Sequence, residues 1–163
     1  MKKMIATGLM MLAVPAVATA EGFDQSKLRL GAGFNNNVID SPFGGSSIDA
    51  LGFSLFAGYE LDNNMSDVTT SVEAGYNQTE DFINSVDSDV SGLWVAGVAE
   101  KNLSEINPRL FAMARLGLDL GDDDGLFLGA GVGMHLNEKV DLRGEYINKD
   151  ATTVYQISAV LNF

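Results

Sequence analysis

Val154 to Phe163 reads VYQISAVLNF. Tyr155, Ile157, Ala159, Leu161 and Phe163 take every second position, and Val154, Gln156, Ser158, Val160 and Asn162 fall between them. Side chains alternate across a β-strand, so this period of two predicts a strand with one apolar face and one mixed, more polar face.

Seven earlier segments repeat the alternation and are separated by clusters of Gly, Asn, Asp and Ser. They are Ser26–Phe34, Ala50–Leu61, Asp67–Tyr76, Val90–Lys101, Arg109–Leu120, Leu126–Leu136 and Lys139–Ile147. In the fifth, Leu110, Ala112, Ala114, Leu116 and Leu118 oppose Arg109, Phe111, Met113, Arg115, Gly117 and Asp119. The fourth is apolar on both faces, and its pattern does not settle where Trp94 points. No segment after residue 20 is long and apolar enough for a membrane helix, which needs about 20 such residues. Ten-residue alternating segments set apart by turn residues are the signature of a transmembrane β-barrel.

Connection lengths and glycines support closure. The predicted links after strands one and three, Asn35–Asp49 and Asn77–Asp89, are long, whereas those after strands two, four and six are short. Outer-membrane barrels keep short turns on the periplasmic side, so the parity predicts periplasmic N- and C-termini. Gly31, Gly33, Gly52, Gly58, Gly75, Gly117, Gly129, Gly131 and Gly133 all share the less apolar face. Eight strands enclose a lumen only just wide enough for side chains, and small inward residues suit it. The fold class read here is all-β, an eight-stranded antiparallel up-and-down transmembrane barrel.

The other end of the chain points to the same compartment. Lys2 and Lys3 precede a nearly unbroken apolar run from Met4 to Val17, and Ala18-Thr19-Ala20 places small residues before Glu21. That pattern predicts a secretory signal over residues 1–20, with Ala18, Ala20 and Glu21 at the cleavage site and the barrel over 21–163. A membrane anchor is the rival reading, but the run is short and Pro15 interrupts it. Removing residues 1–20 takes away two of the 10 basic residues and none of the 22 acidic ones, which moves the formal charge from −12 to −14. So acidic a chain repels phosphate backbones and is not expected to bind nucleic acid. Without cysteine, neither a disulfide framework nor a thiolate site is available.

Several stretches resemble the small eight-stranded outer-membrane proteins of the OmpA/OmpX type. Leu30-Gly31-Ala32-Gly33-Phe34 is similar to their first strand, and Phe56 to Leu61 running into Asp62-Asn63-Asn64 to their first periplasmic hairpin. Gly129 to Lys139, leading into Leu142-Arg143-Gly144-Glu145-Tyr146, resembles their penultimate hairpin. The resemblance implies a cell outer-membrane location and partners in outer-membrane lipid and lipopolysaccharide. It also implies the barrel assembly machinery as a partner during biogenesis, with Tyr155, Ile157, Leu161 and Phe163 as the C-terminal assembly signal. A monomer without cofactor is expected.

The ionisable residues on the inward face are the candidate site: Arg29, Glu60, Glu73, Arg115, Arg143 and Glu145. Buried charges are expensive unless paired, so these six are expected to form a lumen charge network that plugs the barrel or gates it. His135 is the only histidine and falls on the inward face with Asn at position 137. A lipid-modifying barrel enzyme of the deacylase kind carries His-x-Ser on its lipid-facing surface. The missing serine argues against nucleophilic catalysis here. No metal-ligand spacing of His or Cys is present.

Asp122-Asp123-Asp124 lacks the spacing of a calcium loop and is expected to be a solvated outer turn. Tyr59, Tyr76, Tyr146, Tyr155 and Phe163 fall near strand ends on the outward face, where aromatic girdles lie. Phe43, Ile48, Phe82 and Ile83 are expected as apolar tips of the long loops. The expected role is structural or surface-interacting and non-enzymatic. A small channel for ions or solutes and a lipid A-modifying enzyme are the rivals.

Overall fold

A computed structural model of the protein describes residues 24–39, 47–82 and 88–163. Eight antiparallel strands close into a barrel in simple sequence order, with the last strand paired to the first. They are β1 (Leu28–Ile39), β2 (Ile48–Leu61), β3 (Val68–Thr79), β4 (Ser91–Asn102), β5 (Leu110–Asp119), β6 (Gly125–His135), β7 (Val140–Asn148) and β8 (Thr153–Asn162). A short 3-10 turn, Gln25–Lys27, leads into β1 with Asp24 as its N-cap. The Ser26 side-chain hydrogen bond, helped by the Ser26 N–H, holds the Asp24 carboxyl below its ordinary range. Leu28 and Asn162 share one end, called here the terminal end, and the opposite one is the loop end. Residues 1–23, and with them Ala18, Ala20 and Glu21, lie outside the described residues, as do Phe43 and Ile83.

Alternation decides which side chains face lipid and which fill the barrel. The inward row of β5, from Phe111 to Asp119, is buried at every second position. The outward row of β8, including Tyr155, Ile157 and Leu161, is exposed. Phe34 is 82% exposed, as a side chain directed at hydrocarbon should be. Tyr76, Tyr146 and Tyr155 lie towards the loop end, and Tyr59 and Phe163 towards the terminal end. Tyr146 and Tyr155 meet edge to face with ring centroids 5.4 Å apart. Among the described residues no helix is long and apolar enough to cross a membrane.

Four sequence readings need correction. Asn35, Asn36 and Asn37 belong to β1, not to a loop, and pair with both β2 and β8. Asparagine is a turn former by local preference, but a strand paired on both sides overrides it. Likewise Asn77 to Thr79 continue β3. Phe82 is no exposed tip: it is buried, at 7%. The Asp122–Asp124 turn is only partly solvated. Asp123 is buried and accepts from Ala151 N at 3.0 Å and from the Thr152 hydroxyl, while Asp122 accepts from Ser91 N at 2.8 Å. These two aspartates tie the β5–β6 turn to the start of β4 and to the β7–β8 connection.

The fourth correction concerns β4. Its inward row is Trp94, Ala96, Val98 and Glu100, so one of its faces carries a buried charge after all. Trp94 is 4% exposed and donates its ring N–H to Asn77 Oδ1 at 3.1 Å.

Candidate functional site in the barrel lumen

Most of the long inward side chains lie across from a glycine on a neighbouring strand. Gly31 pairs with Phe56, Gly75 with Trp94, Gly117 with Phe127 and Gly133 with Phe111. A Cβ on Gly31 would sit 2.1 Å from Phe56 Cζ, and one on Gly133 2.1 Å from Phe111 Cζ. The rings therefore lie flat over their glycines, which is how aromatic residues protect bare backbone in a sheet. The charged side chains use the same space: Arg115 pairs with Gly129, Glu145 with Gly131 and Glu73 with Gly58.

Seven side chains then form one continuous chain of ion pairs through the lumen. It starts at Glu60, which is 3.4 Å from Arg29. Arg29 meets Glu100 at 2.7 Å, and Glu100 meets Arg143 at 2.6 Å. Arg143 meets Glu73 at 2.7 Å, Glu73 meets Arg115 at 3.2 Å, and Arg115 meets Glu145 at 2.7 Å. Arg143 and Glu73 have no exposure at all. Each arginine thus bridges two carboxylates, an arrangement suited to a planar guanidinium with several donors. Glu60 is the exception to burial: its side chain is 41% exposed at the terminal mouth, so it caps the chain from outside the lumen.

All six sequence candidates belong to this chain, and Glu100 completes it. Sequence reasoning missed Glu100 because both faces of β4 looked apolar. The signal was present, since Glu100 stands in phase with Trp94.

Aromatic rings flank the charges. Trp94 lies 5.8 Å from Phe56 and 6.2 Å from Phe127, centroid to centroid. The Arg115 guanidinium sits over Trp94 at 5.3 Å, and that of Arg143 over Phe56 at 5.9 Å. Lys149 pairs with Asp119 and lies 5.9 Å from the Phe127 ring. Gln156 Nε2 and Ser158 Oγ, both buried on β8, have no protein partner.

At the terminal end His135 stacks on Phe111 at 4.8 Å and meets Asp141 at 2.6 Å. Asp141 also accepts from Asn162 Nδ2 at 2.9 Å. The second ring nitrogen of His135 lies 3.3 Å from Asn102 Oδ1, so neither ring nitrogen meets a serine or other nucleophile. Among the described residues no group of three or more His, Cys, Asp or Glu side chains is placed to hold a metal ion. Tyr155, Ile157, Leu161 and Phe163 all point outward.

An apolar outer wall around a charged, side-chain-filled lumen defines a small transmembrane β-barrel. Solved structures share the architecture. A de novo designed transmembrane β-barrel matches with a TM-score of 0.59 at 15% identity, over 86% of this chain and 98% of that one. Neisserial surface protein A matches at 0.55 and 16% identity, covering 84% and 97%. The attachment invasion locus protein Ail of Yersinia pestis matches at 0.52 and 16%, covering 83% and 96%. At these identities the likeness is one of fold. No curated protein matches the sequence. The sequence does match the outer membrane protein beta-barrel domain over residues 4–163, and the chain belongs to that family. It is a protein of the outer membrane.

Proposed function

We propose that this barrel is closed to solutes and works through its outer surface, as a structural element of the envelope and in loop-mediated contact with lipopolysaccharide or other cells. The observation that carries this reading is the ion-pair chain from Glu60 to Glu145, which crosses the lumen together with the Phe56, Trp94 and Phe127 rings. A path for solute would have to separate buried opposite charges, at several kcal/mol for each ion left alone. The names of two fold neighbours, a surface protein and an attachment invasion locus protein, suit a surface role.

In this reading the terminal end faces the periplasm and the loop end faces outward. Residues 1–20 are a removed signal, and Tyr155, Ile157, Leu161 and Phe163 guide assembly. The protein is a monomer that catalyses no reaction, and lipid A keeps its mass when the protein is overproduced.

Planar bilayers test the closure. The refolded protein should give no discrete conductance steps, and Arg115→Ala should either create them or abolish the heat-modifiable gel shift of the folded barrel. Steady channels in the unaltered protein would overturn the proposal. So would an Arg115→Ala barrel identical to it in both respects. A second reading, a small-solute channel, is favoured by the unpartnered Gln156 Nε2 and Ser158 Oγ, since polar atoms of this kind hold water inside proteins. The same bilayer recording separates the two.

A further inference from the structure

The terminal mouth opens into a cleft of about 410 Å³, within the size range of small-ligand sites. Arg29, Arg109, His135, Glu138, Asp141 and Asn162 are among its lining residues. Most of these polar groups are already engaged. Arg29 is held by Glu100 and Glu60, and Asp141 takes hydrogen bonds from His135 and Asn162.

Three groups are left over. The Arg109 guanidinium and the Glu138 carboxylate have neither hydrogen-bond nor ion-pair partner among the described residues, and Asn162 Oδ1 is a buried acceptor without a donor. Arg109 stands on anchored backbone, and Glu138 lies in a hydrogen-bonded turn. Arg109 N donates to Asn107 Oδ1 at 2.9 Å, and Arg109 O accepts from His135 N at 2.8 Å. Glu138 sits in a turn where Lys139 N donates to Asn137 Oδ1 at 2.8 Å.

We infer that this cleft binds a small zwitterion, a ligand with free ammonium and carboxylate groups. Arg109 receives the carboxylate through paired N–H donors, the geometry that guanidinium offers and ammonium does not. Glu138 receives the ammonium group, and Asn162 Oδ1 supplies a neutral acceptor beside it. One free cation and one free anion lining one cleft complement a ligand carrying both charges better than a ligand carrying either alone.

Dialanine with free ends is the probe, added to the refolded barrel in detergent micelles. The ring signals of His135 report on it, because His135 lines the cleft and is the chain's one histidine. A saturable shift is expected, weakened on the order of tenfold when the dipeptide is N-acetylated or C-amidated, as the loss of one charge-assisted contact would give. Arg109→Ala should stop distinguishing the amide from the free acid, and Glu138→Gln should stop distinguishing the acetylated from the free amine. Both side chains are exposed, so the variants should keep the heat-modifiable shift of the folded barrel. No saturable shift, an equal response to acetate alone, or unchanged discrimination in both variants would each overturn the proposal.

Discussion

The inner and outer walls of this barrel are made by the same eight strands, yet they specify structure in different ways. On β5 the outward row is Leu110, Ala112, Ala114, Leu116 and Leu118, and the inward row is Phe111, Met113, Arg115, Gly117 and Asp119. The outer wall meets a fluid hydrocarbon, where one aliphatic side chain serves nearly as well as another. The inner wall meets itself. The Phe56, Trp94, Phe111 and Phe127 rings each lie over a particular glycine and each buried carboxylate meets a particular partner, an arginine for Glu73, Glu100 and Glu145, so its residues are far less exchangeable. The outer wall states where the protein resides, and the inner wall states how its strands are aligned.

Substitutions on the two walls can break this contrast, and the largest effect belongs inside. Arg143→Ala leaves Glu73 and Glu100 each short of a buried cation and should cost about 3–5 kcal/mol. Urea titration of the refolded barrel, read by the heat-modifiable shift, measures it. An unchanged midpoint would show that the buried chain does not stabilise the fold. Placing the same guanidinium on the outside should do comparable harm. Ala130→Arg, exposed in the middle of β6, should cost about 2–4 kcal/mol in bilayers and much less in a position near the rim.

Packing effects come next. Gly31→Val drives a branched side chain into Phe56 and should cost about 1–3 kcal/mol, much of it recovered in the double variant with Phe56→Ala. Failure of the second substitution to rescue the first would mean that the glycine is needed for its backbone and not for the ring. The smallest effect is expected at the loop end. Asp123→Ala removes acceptors from Ala151 N and the Thr152 hydroxyl and should cost about 1 kcal/mol, seen chiefly as faster amide exchange in the β7–β8 connection.

The two walls were also unequally legible in the sequence. The outer one follows from alternation alone, and the strand count and the lipid-facing positions could be read directly. The same alternation told which charges point inward, and Arg29, Glu60, Glu73, Arg115, Arg143 and Glu145 were found that way. Which of them touch could not be read, because contact across a lumen depends on register and tilt that no single strand encodes. Glu100 and the inward turn of Trp94 were lost in a strand apolar on both faces. Asn35 to Asn37 were misread because local preference for turns is weaker than pairing on two sides. Asp123 was misread for a related reason: an acidic run looks hydrated until a neighbouring loop supplies donors.

The ring-over-glycine pairs do not run all the way round. They key β1 to β2, β3 to β4 and β5 to β6. No aromatic residue stands on the inward row of β8 or of β1, where Gly31 meets Val160, Gly33 meets Ser158 and Asn35 meets Gln156. The seam between the first and last strands is therefore smooth on the inside. A keyed edge must be threaded into place one notch at a time, whereas a smooth one can slide and seat at once. The barrel carries its notches within three hairpins and leaves them out of the joint between its two ends.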